Sequence, residues 1–137
     1  MPVLIVDASV TLPWCFIDEA TPFTNGLLDR VRNGEEAAVP AHWPVEVLNG
    51  LLKAQRRGRI SDTDVRQFLV MLGSLPILVE QYYDTSYLES LRVLARKHNL
   101  TSYDTAYLEL AQQYSLPLAT LDQDLRAAAI AEGVKLL

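Results

Sequence analysis

Along the chain, compact apolar runs alternate with longer segments whose apolar positions recur every three or four residues. "VLIV" (3–6) is a continuous β-rich run, the pattern of a parallel strand covered on both faces, and Asp7 ends it. "TPFTNGLLDRVRNG" (21–34) has helical spacing and closes on Gly34, suited to the left-handed position after a helix. "AAVP" (37–40) predicts a short strand stopped by Pro40. From Pro44, "PVEVLNGLLKAQRRG" predicts a helix with proline in its first turn and Gly58 at its end. "SDTDVRQFLVMLGSL" (61–75) opens with Ser61 as N-cap and Asp64 three residues on, close to a capping box. A third strand, "PILVE" (76–80), precedes the helix "TSYLESLRVLARKHN" (85–99). Next come the helix "LTSYDTAYLELAQQY" (100–114), the strand "LPLATL" (116–121), a short helix over about 124–132 and a last strand, "GVKLL".

Strand and helix alternate with no repeat, linker or low-complexity tract. The pattern implies one α/β domain over 1–137, with a mostly parallel central sheet flanked by helices and right-handed crossovers. In such sheets ligands bind outside the carboxyl ends of the strands. Asp7 and Asp122 each stand just after a predicted strand, so one fold rule puts two acids at one edge.

The helix at 100–114 holds a local contradiction. With one residue every ~100°, Ala106, Tyr107, Leu108, Leu110, Ala111 and Tyr114 fill one broad arc. Thr105, Glu109, Gln112 and Gln113 fill the opposite one. Asp104 falls inside the apolar arc, between Ala111 and Leu108. A carboxylate is rarely buried without a partner, because losing its hydration costs several kcal/mol or shifts its pKa.

Composition narrows the class. Of 137 residues, 50% are hydrophobic and 21% charged, ordinary for a soluble globular protein large enough for a real core. No apolar run approaches the roughly 18–20 residues of a membrane span. "MPVLIVDASV" lacks a basic n-region and a small-residue cleavage site, so it reads as a first strand, not a signal peptide. Cys15 is the only cysteine, which excludes an intrachain disulfide and a cysteine-based zinc site. A cytoplasmic protein is the simplest expectation. Twelve Lys and Arg against 17 Asp and Glu give a net charge of −5, which argues against a general nucleic-acid binder.

Four acids stand at element junctions: Asp7 in "LIVDASV", Glu46 in "WPVEVLNGL", Asp104 in "SYDTAYLELA" and Asp122 in "LATLDQDL". Gathered without compensation they would repel one another and resist ionisation. A divalent metal reverses that logic, since Mg²⁺ and Mn²⁺ take hard oxygen ligands and bind through one or two carboxylates, water and phosphate. Such a cluster suggests phosphoryl-transfer chemistry. Setting the four aside leaves 13 acids against 12 bases, so most of the acidic excess would belong to the site. Each acid also has a plainer explanation. Asp7 or Asp122 alone suits a helix N-cap. Glu46 shares the polar arc of its helix with Asn49, Gly50 and Lys53, so by itself it reads as solvated. Asp104, like Asp124, is favoured in a first turn by the helix dipole, and a secondary metal role for Asp124 stays open.

Taken together, these stretches resemble the PIN-domain ribonucleases, above all the VapC-type toxins of bacterial and archaeal toxin–antitoxin pairs. The resemblance spans nearly the whole chain in family order. "VLIVDASV" resembles the first motif, with Asp7 as its acid and Ser9 the small hydroxyl residue near it. "PVEVLNGLLKA" resembles the second, with Glu46 as acid and Asn49 about one turn on. "LTSYDTAYLELA" is similar to the third and most specific motif, with Asp104 as acid. "LPLATLDQDL" resembles the fourth, with Asp122 as acid and Thr120 two residues before it. The resemblance implies a Mg²⁺- or Mn²⁺-dependent endoribonuclease in which these four acids are catalytic and hold the metal. It also implies a homodimer inhibited by a VapB-type antitoxin.

Rival classes fit less well. Haloacid-dehalogenase-like phosphatases place D-x-D-x-[TV] after the first strand, but here Ser9 replaces the second Asp. A receiver domain needs a paired acid near the first strand's end, and none is present. A catalytically inactive RNA- or protein-binding module, or another metal-dependent phosphohydrolase, is the alternative. "KAQRRGR" holds Lys53, Arg56, Arg57 and Arg59, the densest basic patch. Lys53 follows Glu46 and Asn49 along one helix face, so the patch suits either an RNA phosphate path or a solvated helix end. His42 and His98 lack metal-ligand spacing; His42 lies close enough before Glu46 to touch substrate, but it reads first as a loop histidine. Trp14 and Cys15 read as packing residues, while Trp43 and Phe68 are candidates for an apolar patch that docks a partner.

Overall fold

The computed structural model describes residues 1–81 and 83–137. Four strands, β1 (Pro2–Val6), β2 (Glu36–Pro40), β3 (Ile77–Glu80) and β4 (Leu118–Ala119), form one parallel sheet in the order β3-β2-β1-β4. The central strands carry the deepest residues. Leu4, Ile5, Val6, Ala37, Ala38 and Val39 are fully buried, as a continuous apolar run demands in a sheet covered on both faces.

Seven helices make the connections among the described residues: α1 (Ala8–Thr11), α2 (Pro22–Arg32), α3 (Trp43–Arg56), α4 (Asp62–Gly73), α5 (Thr85–His98), α6 (Ser102–Tyr114) and α7 (Gln123–Ala131). Their ends follow side-chain chemistry. Ser61 and Asp64 form the reciprocal capping box expected of α4, and Thr21 and Thr24 form another on α2. Gly34 and Gly58 adopt positive φ after α2 and α3, which glycine does without a Cβ penalty.

Three sequence expectations need correction. The stretch 8–20, where the sequence pattern predicts no regular element, holds α1 and two 3-10 turns, Leu12–Trp14 and Ile17–Glu19. The strand expected over 116–121 shrinks to Leu118–Ala119, because the chain turns away at Thr120 toward the α7 cap. The last strand, "GVKLL", is only an isolated bridge between Leu136 and Leu118, held by two backbone hydrogen bonds at that point. A partner strand two residues long leaves nothing further to pair with.

The sheet order decides where a site can form. The chain steps outward from β1 to β2 to β3, then returns to place β4 on the other side of β1. The strand order reverses between β1 and β4, and parallel sheets open a crevice at such a switch, beyond the strand carboxyl ends. Asp7 leaves β1 at that point, and Asp122 follows β4 by three residues. Gly50 closes the arrangement from the α3 side. A Cβ there would lie 2.6 Å from Leu12 Cδ1, so a larger residue at this position would force the Leu12 side chain on the turn after α1 to move. Gly50 is therefore a packing position, not part of a solvated arc.

Candidate active site

Asp7 is 3% exposed and serves as N-cap of α1, but its side chain makes no capping bond. Oδ2 instead accepts hydrogen bonds from Ser9 Oγ at 2.8 Å and Thr120 Oγ1 at 2.7 Å. Both hydroxyls are placed by backbone contacts. Ser9 Oγ accepts from Leu121 N–H at 2.9 Å, and Thr120 Oγ1 from Asp122 N–H at 3.1 Å. The first and fourth motifs are thus tied together through a single carboxylate. Asp122 behaves differently, since its Oδ1 caps α7 by accepting from Leu125 N–H at 2.8 Å. The plain N-cap explanation holds for Asp122 and fails for Asp7.

Glu46, on the first turn of α3, is half-buried and not simply solvated. The Tyr107 hydroxyl, from α6, donates to its Oε1. Burial raises the Glu46 pKa against the stabilising Tyr107 bond, and the Asp7 and Asp104 carboxylates push it further up. The Asp104 pKa is raised as well, first by burial and then by Asp122 and Asp7, with a smaller contribution from Asp124. Asp104 lies on the first turn of α6, where Thr101 is the cap and accepts from Asp104 N–H at 3.1 Å. Half-buried in the apolar arc, Asp104 lies within electrostatic reach of the Asp122, Asp7 and Asp124 carboxylates. Four segments distant in sequence thus bring their acids within each other's electrostatic reach.

Several expectations about neighbouring residues change. Thr105, assigned to the polar arc of α6, is fully buried and satisfies its hydroxyl on Thr101 O at 2.7 Å. Tyr107, a core residue by its helical pattern, also holds the Glu46 carboxylate, a contact the pattern does not predict. A buried tyrosine needs a hydrogen-bond partner for its hydroxyl, and that requirement was the available signal. Asn49 is exposed beside Glu46. Lys53, Arg56 and Arg57 are exposed and form no ion pair among the described residues. Arg59 departs from them: it pairs with Asp18 and Glu19 and lies 4.7 Å over the Phe16 ring. Trp43 and Phe68 are buried core residues and offer no exposed docking patch. Trp43 donates to Thr11 Oγ1 at 3.3 Å, and Trp14 to Thr24 O at 2.9 Å.

The PIN domain family model matches residues 4–131. The chain belongs to the PIN-domain family. Among curated relatives, this PIN domain is 28% identical to Ribonuclease VapC3 of Pyrobaculum aerophilum over 122 residues, 89% of this chain and 91% of that one. It is 30% identical to Ribonuclease VapC12 of Mycobacterium tuberculosis over 119 residues, 87% of this chain and 86% of the relative. In three dimensions it is similar to the crystal structure of PAE2754 from Pyrobaculum aerophilum. That match has a TM-score of 0.73 and 24% identity, covering 93% of this chain and 84% of that one. Among the described residues no helix of this PIN domain is long and apolar enough to cross a membrane.

The donor set of the PIN domain fits a hard divalent cation, since it consists of carboxylate and hydroxyl oxygens whose mutual repulsion a cation would relieve. Among the described residues no three His, Cys, Asp or Glu side chains converge closely enough to hold an ion by themselves.

Proposed function

We propose that this protein is a metal-dependent endoribonuclease, the toxin component of a type II toxin–antitoxin pair. The observation that carries the reading is the gathering of acids at the switch point of the sheet, where Asp7 and Asp104 lie within electrostatic reach of Glu46, and Asp7 and Asp122 within reach of Asp104. Relatives named as ribonucleases over most of the chain length support it.

In this reading the four acids are catalytic and form the cation site, with Asp7 the best-held of them. Ser9 and Thr120 orient the Asp7 carboxylate, and Tyr107 orients that of Glu46. Mg²⁺ or Mn²⁺ bound there would supply Lewis-acid stabilisation of the leaving oxygen and activation of water for attack on phosphorus. Lys53, Arg56 and Arg57 lie along and beyond the same helix as Glu46, where they would draw the RNA backbone toward the acids.

The partners in this reading are the RNA substrate, a VapB-type antitoxin protein and a second copy of the chain, all in the cytoplasm. A groove of about 790 Å³, lined by Trp14, Ile17 and Met71 together with the charged Asp18, Arg59 and Asp64, is the surface on which an antitoxin segment would seat.

Incubation with structured RNA in Mg²⁺ or Mn²⁺ tests the reading. The expected products carry a 5′-phosphate and a 3′-hydroxyl, and EDTA abolishes them. A 2′,3′-cyclic phosphate end, or undiminished cleavage in excess EDTA, overturns the mechanism.

A further inference from the structure

Beside the acids, the N-terminal ends of α3 and α6 enclose a cleft of about 350 Å³, lined by His42, Val45, Glu46, Asn49, Tyr103 and Asp104 among others. This volume is within the roughly 300–1,000 Å³ typical of small-ligand pockets. Two of its walls, Glu46 and Asp104, also belong to the acid cluster, so the two spaces are continuous.

The walls differ sharply in chemistry. Tyr103 is 63% exposed and Val45 66% exposed, both unusually bare for residues of their size. The His42 ring stands 5.5 Å from that of Tyr103, tilted by 58°. Behind it, the buried Tyr107 ring meets His42 edge-on at 5.3 Å and 73°, which fixes the orientation of the imidazole. The result is a two-ring wall backed by the core. His42 Nε2 is buried without a hydrogen bond, 3.7 Å from Glu46 Oε1, so the imidazole edge is turned toward the acids and its ring forms the back of the cleft. The exposed Asn49 amide offers both a donor and an acceptor at the rim.

With the backbone phosphate held at the acids through the cation, a neutral planar group entering the adjoining cleft meets aromatic faces and the Val45 side chain. Single-stranded RNA is read by splaying unpaired bases onto aromatic rings and bonding their edges. We propose that the cleft is a nucleobase subsite, in which the exposed Tyr103 ring stacks an unpaired base of the RNA next to the bond being cut, with His42 as the wall behind it. The stack sets base preference at that one position. This inference rests on the RNA-cleaving reading of the acid site and adds the recognition element to it.

The test uses cleavage-resistant, phosphorothioate-linked single-stranded RNAs carrying fluorescent 2-aminopurine at successive positions, mixed with the intact protein in Mg²⁺ or Mn²⁺. The wild type is expected to quench the probe at one position. Tyr103→Ala abolishes that quench and weakens binding roughly 5- to 100-fold, the scale of one lost base–aromatic stack. Tyr103→Phe retains both, because stacking needs the ring and not the hydroxyl. Given its exposure, Tyr103→Ala should melt at the wild-type temperature. On a pool of randomised single-stranded RNA, Tyr103→Ala still cuts, but base preference beside the cut flattens. Absence of position-specific quenching in the wild type overturns the subsite. So does a Tyr103→Ala protein that quenches and selects bases as the wild type does. A wild type that neither binds nor cuts the pool overturns the RNA-cleaving reading, and the subsite with it.

Discussion

The Thr120 hydroxyl donates a 2.7 Å hydrogen bond to Asp7 Oδ2, joining two residues 113 positions apart in the chain. Ser9 supplies a second bond to the same oxygen, and the two hydroxyls lie 3.4 Å from each other. The most buried acid of the site is therefore held from both strands at the carboxyl end of the β1–β4 pairing.

Thr120→Val keeps the shape and removes the donor. A hydrogen bond to a charged group is worth about 1.5–3 kcal/mol. The melting temperature should therefore fall by roughly 5–10 °C, and cleavage should fall with it. Thr120→Ser, which keeps the hydroxyl, should lose far less of both. Thermal melts and cleavage rates of the three proteins in parallel provide the check.

Asp104 sets stability against function. Its folded-state pKa is raised by burial and by Asp122 and Asp7, so the folded protein holds this proton more tightly than the unfolded chain does. In EDTA, stability should accordingly fall as pH rises from about 4 through the raised Asp104 and Glu46 pKa values. Asp104→Asn removes one repelling charge, flattens part of that slope and should melt at the same or a higher temperature at pH 7. With Mg²⁺ or Mn²⁺ at ten times Kd, the wild type should gain about 1.4 kcal/mol, or roughly 3–6 °C. The variant should lose most of that gain, along with cleavage. A destabilised variant beside a wild type that ignores metal would mark Asp104 as a structural acid.

The basic stretch divides in two. Arg56→Ala with Arg57→Ala should weaken RNA binding and reduce the slope of log K against log salt, by about 0.7 for each lost phosphate contact on single strands. Arg59→Ala should leave that slope alone, because its guanidinium is already engaged by Asp18, Glu19 and the Phe16 ring. Its effect should appear as a small loss of thermal stability. Filter-binding titrations at several salt concentrations separate the two groups.

Away from the site, Glu132 ties the end of α7 to two other helices. It pairs with Lys97 and bonds His98, each at 2.7 Å, and accepts from Gln112 at 3.2 Å. Lys97 first and then His98 hold its pKa down to about 2. A depressed carboxylate pKa contributes stability above the ordinary value of about 4.3 and loses it as pH falls toward 2. Glu132→Gln should cost on the order of 1 kcal/mol at pH 7, or about 3–4 °C. Melts repeated near pH 2.5 should show the difference shrinking toward zero.

By itself the sequence determined what depends on near neighbours. The alternation of elements, the Ser61–Asp64 capping box and the glycines closing α2 and α3 are all encoded within a turn or two of chain. The four acids at element junctions were legible in the same way, as residues out of keeping with their local pattern. Tertiary structure alone decided what depends on pairing between distant segments. The return of β4 to the far side of β1 makes the crevice where Asp7 meets Thr120, and no periodicity within a single element specifies that strand order. The same holds for Tyr107, whose ring belongs to the core by pattern while its hydroxyl serves Glu46 from another helix. It holds for Arg59, drawn from a basic run to Asp18 and Glu19, and for "GVKLL", whose strand-like composition had only a two-residue strand to pair with. A side chain's local pattern fixes the face it lies on, but its partner is set by the segment that the fold brings opposite that face.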